Sequence, residues 1–235
     1  MITIEKEKQS KLKELLIESG ATSVGFASLN YLLGLDTNYA SGISILVKLK
    51  PEIIAETGNG PTAHYCEEYS RVNFLLDNLT CLTSDYLTHL GYLADMPGAT
   101  VRMSDLDNFK VNIPHKTLAT LSGLGWIGKN ALLITEKYGS AVRLGSVFTN
   151  AVFEYDDPIT EVKCGNCMKC KNVCPGNAIM GKNWYQDINL DEFYNARLCR
   201  KTINNFVSKD INKAICGICI ANCPYTAKYI NRDVD

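Results

Sequence analysis

Between Ser10 and Ser19 the apolar residues Leu12, Leu15 and Leu16 return on one helical face, with Gly20 placed as a terminator, so the pattern predicts an amphipathic helix. Apolar and β-branched runs at Ser23 to Ala27 and at Ile43 to Leu49 predict two strands. The strongest periodicity lies farther on, where Val72, Leu75, Leu76, Leu79, Leu82, Tyr86, Leu87 and Leu90 recur at helical spacing between Tyr65 and Leu90. With Gly91 as its stop, this segment predicts a long core helix. Leu118 to Leu121 predicts a short helix, and Ala131 to Thr135 and Val142 to Val152 predict two strands joined near Tyr138-Gly139. Elements in this order describe an α+β layer fold over the first two thirds of the chain.

Beyond the turn signal Asp156-Asp157-Pro158 the periodic pattern gives way to a cysteine-rich stretch, which divides the chain into an α/β core over residues 1–157 and a second domain over 158–235. A length of 235 residues, 46% of them hydrophobic and 21% charged, suffices for two such domains to bury their own cores. The apolar runs fall short of the roughly 20 residues that a membrane helix requires, so no membrane span is expected. The first residues mix both charges and show neither a basic n-region nor an apolar h-region. Together with ten cysteines, this predicts a reducing, cytoplasmic setting in which thiols serve as metal ligands, nucleophiles or small apolar residues.

Eight of the ten cysteines fall between Cys164 and Cys223. The run Cys164-x2-Cys167-x2-Cys170-x3-Cys174-Pro175 has the spacing of bacterial ferredoxins, in which three close thiolates hold one cubane and the fourth Cys reaches the other cluster. A second group, Cys216-x2-Cys219-x3-Cys223-Pro224, repeats the Cys-Pro ending, and Cys199 completes eight ligands. The spacing predicts a ferredoxin-like domain with two neighbouring 4Fe-4S clusters. One is held by Cys164, Cys167, Cys170 and Cys223, the other by Cys174, Cys199, Cys216 and Cys219. Zinc favours two cysteine pairs across a spacer, for which a third in-register cysteine is superfluous. Gly165, Gly176 and Gly217 suit either close approach of backbone N–H groups to a cluster or plain turns.

Charge divides at the same place: residues 1–163 carry 14 basic and 19 acidic side chains, residues 164–235 carry 10 and 6. Two cubanes with four thiolates each, at about −2 apiece, offset the second domain's excess of +4. With a net charge of −1 for the whole chain, nothing in the bulk charge favours nucleic acid. Cys66 and Cys81 fall on the predicted long helix and read as small hydrophobes without a further role. His64, His89 and His115 are too scattered for a metal site and read as surface or capping residues.

The stretch Leu121-Ser122-Gly123-Leu124-Gly125-Trp126-Ile127-Gly128-Lys129-Asn130-Ala131, followed by Tyr138-Gly139 and Arg143-Leu144-Gly145, resembles the core motif of epoxyqueuosine reductases and, secondarily, of reductive dehalogenases. The order of the eight cysteines, with Cys199 after Ala196-Arg197-Leu198, is similar to that family as well. The resemblance covers roughly residues 115 to 225 well and 10 to 50 weakly. It implies a nitroreductase-like α/β core that holds a base-off cobalamin, with electrons arriving through two clusters. Cofactor contacts then fall to Gly123, Leu124, Gly125, Trp126, Gly128, Lys129 and Asn130. In that role the glycines admit a planar ligand or a sharp turn, and Lys129 offers a cation; the same glycines equally serve to shape a tight connection around a core Trp126.

Two departures limit the transfer. The family's proposed proton-donor Asp stands about 14 residues before Gly-Leu-Gly-Trp, where this chain has Phe109, with Asp105 and Asp107 only nearby. The chain also ends about 12 residues after Cys223, without the extension through which larger relatives grip transfer RNA. The expectation is therefore an iron-sulfur oxidoreductase that takes electrons from a ferredoxin- or flavodoxin-type donor and passes them to a corrinoid or small substrate, with nucleic acid not expected as a partner. The alternative is a non-catalytic electron-transfer or corrinoid-handling protein.

Overall fold

The computed structural model describes residues 3–32, 38–98 and 113–234. Along the chain run α1 (Lys6–Glu18), β1 (Ser23–Ser28), β2 (Ser41–Lys48), α2 (Pro51–Ala55), α3 (Ala63–His89), β3 (Ala94–Asp95), α4 (His115–Leu121), β4 (Trp126–Ile127), β5 (Leu133–Ile134) and β6 (Val142–Thr149). The short helices α5 (Lys169–Asn172), α6 (Leu190–Phe193), α7 (Ala196–Asn205), α8 (Ile218–Ala221) and α9 (Pro224–Ile230) follow. This is the mixed α and β architecture expected. Among the described residues no helix is long and apolar enough to cross a membrane.

The described residues gather into two compact units, built from interleaved stretches. The first takes Met1–Val47, Val72–Leu124 and Arg143–Ile159; the second takes Lys48–Arg71, Gly125–Val142 and Thr160–Asp235. The chain thus passes for the last time between units two residues beyond the turn signal. The second unit recruits earlier segments because their polar groups find partners there: the Tyr229 hydroxyl donates to the Leu49 carbonyl (2.9 Å), and Ser140 N–H donates to Thr226 Oγ1 (3.1 Å).

The first unit is organised by a four-stranded sheet in the order β1-β2-β6-β3, with β1 antiparallel to β2 and β3 antiparallel to β6. Cross-strand partners share a face, so the register Gly25↔Ser44 and Ala27↔Gly42 puts four small residues together, while Phe26↔Ile43 and Val24↔Ile45 line the other side. The small face admits α4: a Cβ on Gly42 would strike the Leu118 side chain, and one on Gly25 would strike the Ser122 carbonyl. Leu118, Ala27, Leu29, Tyr39, Ile113 and Phe148 form the buried cluster there. On the other side Phe26 packs on Phe153 with ring centroids 4.7 Å apart. Asp156 exchanges bonds with the same strand, since Phe26 N–H donates to Asp156 Oδ2 (2.8 Å) and Asp156 N–H donates to the Phe26 carbonyl (2.9 Å).

The helix and strand expectations hold with small shifts of boundary, and Gly20 and Gly91 terminate α1 and α3 at φ of +107° and +85°. One pairing differs. Leu133–Ile134 does not form a hairpin with Val142–Thr149; it pairs antiparallel with Trp126–Ile127, through Ile127↔Leu133 and Trp126↔Ile134. The break is local, because Ala131 sits at φ +59° and Gly139 at φ +57°, leaving β5 only two residues long.

In the second unit Glu68, its side chain 1% exposed, accepts a two-pronged bond from Arg71 (2.7 and 2.8 Å) and a third from Lys50 N–H (3.1 Å). Burial pushes this carboxyl upward, but the Arg71 fork and the Lys50 amide outweigh it and hold it below its ordinary value of 4.5. A depressed carboxyl contributes stability above the unfolded-state value and loses it as pH falls through the folded one. Glu68→Gln is expected to lower stability at pH 7 by about 1.5 kcal/mol. The gap between variant and parent should close below pH 4.5 when melting is followed by circular dichroism.

Candidate metal centre

The second unit brings all eight cysteines of the C-terminal stretch into two groups. Cys164 and Cys167 flank a turn closed by the Cys167 N–H bond to the Cys164 carbonyl (3.0 Å), with Gly165 at φ +50° inside it. Helix α5 follows and carries Cys170. Cys223 lies over fifty residues later, yet it belongs with these three. Burial, then Cys164, Cys223 and Cys167 in that order, pushes the Cys170 thiol up to about 11.

The second group assembles around short helices. Cys199 rides on α7, whose first turn is capped by Asn195 accepting from Leu198 N–H (2.9 Å). Cys216 precedes Gly217, which caps α8 at φ +87°, where a side chain would meet Thr57 and Tyr65; Cys219 lies within α8. Burial, then Cys199 and Cys174, raises the Cys216 thiol, against the opposing bond from Ile218 N–H. Cys219 is also raised, by burial first and then by Cys216, Cys170, Cys199 and Cys174. Cys170 acts on Cys219 across the two groups, so the groups adjoin.

Seven of the eight cysteines are half-buried and Cys223 is buried; once ionised, such neighbouring thiolates repel one another, and a multiply charged cation relieves that repulsion. Backbone donors already point at several sulfurs, with Ala178 N–H on Cys174 Sγ at 3.3 Å and the amides of Thr226 and Tyr225 on Cys223. Such donors favour thiolate over thiol. Cys223 itself caps α9, with Pro224 in the first helical position. Among the described residues no three His, Cys, Asp or Glu side chains form a ready single-ion site.

Between Cys164, Cys167, Cys170 and Cys223 opens a cavity of about 110 Å³, against the roughly 10–15 Å³ that a single water needs. Lys129, Asn130, Ile134, Lys163, Pro224 and Tyr225 complete its walls. Of the residues singled out in the glycine-rich motif, Lys129 and Asn130 therefore reach this cavity. Asn130 is held by accepting from Leu132 N–H (3.2 Å) and donating to Ser140 Oγ (3.4 Å). Gly125 and Gly128 pack against the Ile134 carbonyl and side chain, and Gly123, at φ +70°, lies 3.0 Å from the Asp157 carbonyl at the position of a notional Cβ. Leu124 N–H bonds the Ala119 carbonyl (2.9 Å). Trp126 is buried edge-on to Tyr225, centroids 5.0 Å apart, and its indole N–H has no partner among the described residues.

Tyr194 and Tyr225 were not legible from spacing. Tyr194 is bonded to the Cys199 thiol and is raised well above the ordinary phenol range, by burial first and then by that bond. The cysteines outside the two groups divide: Cys66 is buried as expected of a small hydrophobe, whereas Cys81 is exposed, on the outer side of α3. His64 is exposed and paired with Glu56 (3.0 Å). His115 bonds Ser146 Oγ (2.7 Å) and is lowered by burial. Phe109, Asp105 and Asp107 lie outside the described residues.

No protein-family profile matches the chain. Curated relatives are epoxyqueuosine reductases: the one from Listeria monocytogenes is 32% identical over 117 residues, 46% of this chain and 28% of that protein. That from Lactococcus garvieae is 34% identical over 117 residues, 46% of this chain and 30% of its own length. The matched stretch thus spans under a third of these relatives. Among solved structures, an epoxyqueuosine reductase with a tRNA-Tyr epoxyqueuosine-modified stem loop superposes with a TM-score of 0.61 at 19% identity, over 94% of this chain and 66% of that one. A catabolic reductive dehalogenase in complex with 3-bromo-4-hydroxybenzoic acid gives 0.69 at 16% identity, over 92% and 31%. Another reductive dehalogenase, described with a mechanism for B12-dependent dehalogenation, gives 0.61 at 15%, over 95% and 36%. The resemblance to epoxyqueuosine reductases and reductive dehalogenases is thereby borne out, and the fold is that of these two groups of proteins.

Proposed function

We propose that this chain is an iron-sulfur oxidoreductase that holds two 4Fe-4S clusters and delivers low-potential electrons to a corrinoid or small-molecule substrate bound by its α/β core. The grouping of the eight thiols carries the reading: one set of Cys164, Cys167, Cys170 and Cys223 and one of Cys174, Cys199, Cys216 and Cys219, adjoining through Cys170 and Cys219. When bound, such clusters supply one-electron transfer at low potential. The protein's part is to hold eight thiolates, aim N–H groups at them and keep water away. The buried positions of Cys223, Ile218, Ile220 and Ile215 serve the last of these. The neighbour described with a mechanism for B12-dependent dehalogenation supports a corrinoid as the acceptor.

Protein prepared without oxygen should contain about eight irons and eight labile sulfides per chain, and added cobalamin should change its visible spectrum on binding in base-off form. Stoichiometric zinc with no sulfide would overturn the cluster reading. Full iron with no cobalamin response would instead favour a non-catalytic electron carrier. The net charge of −1, and an excess of +4 in the second domain that two clusters would offset, give no bulk positive charge for phosphate, so we infer a substrate other than transfer RNA. A salt series with a tRNA stem loop tests this inference. Submicromolar binding that weakens steeply with salt would restore the transfer RNA reading.

A further inference from the structure

Lys129 is the outlier of the second unit: a lysine only 4% exposed, whose ammonium has for its hydrogen-bond contact the Met168 thioether sulfur at 3.8 Å. A thioether is a weak acceptor, and no carboxylate among the described residues forms an ion pair with Lys129. A buried ammonium left in that condition is strongly disfavoured unless an anion stands beside it. What stands beside it is the cavity walled by Cys164, Cys167, Cys170 and Cys223. Lys163 reaches the same cavity, but it is exposed and already paired with Glu136 at 2.8 Å, so its charge is spoken for.

We propose that Lys129 is the built-in counter-ion of the cluster held by Cys164, Cys167, Cys170 and Cys223, and that its charge raises this cluster's reduction potential above that of its neighbour. The inference rests on the two-cluster reading. A cubane with four thiolates is an anion of about −2 and becomes more negative on reduction. A cation fixed in a low-dielectric wall stabilises the reduced form more than the oxidised one. At the other group of thiols the neutral Tyr194 hydroxyl is bonded to Cys199. Electrons entering the pair therefore collect at the Lys129 cluster. Lys129 acts through the cluster's energetics and is a positioning and tuning residue.

Iron-loaded protein is titrated with dithionite while reduction is followed by electron paramagnetic resonance, comparing the parent with Lys129→Met, Lys129→Gln and Lys129→Arg. Lys129→Met keeps the length of the side chain and suits a buried position, and Lys129→Gln is the second neutral variant should the first fold poorly. Both neutral variants should retain full iron and shift one of the two potentials downward by at least tenfold in the reduced-to-oxidised ratio, about 59 mV for one electron. The shifted wave should be the one that Cys223→Ser removes, and Lys129→Arg should keep it near the parent value. Full iron with both potentials unmoved in the neutral variants would overturn the proposal. A parent protein that binds no iron would instead defeat the cluster reading on which it stands.

Discussion

Cys223→Ser should strip the cluster held by Cys164, Cys167 and Cys170, although it lies beside Cys219 in sequence, and Cys174→Ser should strip the other, although it closes the first cysteine run. Each variant is expected to keep about four of about eight irons. The expectation follows from the cavity that Cys164, Cys167, Cys170 and Cys223 share and from the neighbours each thiolate feels: Cys170 feels Cys164, Cys223 and Cys167, Cys216 feels Cys199 and Cys174, and Cys219 feels Cys216, Cys199 and Cys174 together with Cys170 where the groups adjoin. A hydroxyl at either position offers a harder, poorly ionised ligand in place of a thiolate. Half the iron lost in each case, with different electron paramagnetic resonance signals remaining, would confirm the crossed arrangement. Should the two variants lose the same signal, the pairing is wrong.

The cysteines were legible because their chemistry is local in sequence: three ligands at i, i+3 and i+6 must share a turn, and the Cys-Pro ending sets the start of α9. The helices were legible for a similar reason, since α3 repeats its apolar face over many turns and Gly91 stops it at positive φ. Residues that depend on distant partners were not. Trp126–Ile127 reads as part of a glycine motif, and only the pairing with Leu133–Ile134 makes it a strand. The interleaving of Lys48–Arg71 and Gly125–Val142 into the cysteine-bearing unit has no signature in composition, because it rests on single bonds such as Tyr229 to Leu49. Lys129 drew notice as a cation; its burial is a property of the folded unit alone.

Gly139→Val should be among the most damaging substitutions in the second unit, and its cost comes from two separable sources. Gly139 sits at φ +57°, where a β-branched residue is strained by about 1–2 kcal/mol. A Cβ there would also strike the backbone nitrogen of Thr226 and lie 2.6 Å from its Cα, so α9 cannot keep its place. Thr226 is fully buried, accepts from Ser140 N–H (3.1 Å) and lends its amide and hydroxyl to the Cys223 thiol. Displacing it adds a packing and hydrogen-bond loss that brings the total to about 3–4 kcal/mol. For a chain of this size that corresponds to a fall of about 6–16 °C in Tm. Gly91→Ala isolates the backbone contribution, since Gly91 has φ +85° but no atom within 4 Å of its notional Cβ. It should cost about 1 kcal/mol. Because Thr226 supports Cys223, Gly139→Val should also release iron from the cluster of Cys164, Cys167 and Cys170 more readily than Gly91→Ala does, measured as chelator-accessible iron over time. Equal melting temperatures and equal iron release in the two variants would show that the contact between Gly139 and Thr226 does not hold the Cys223 end of the site.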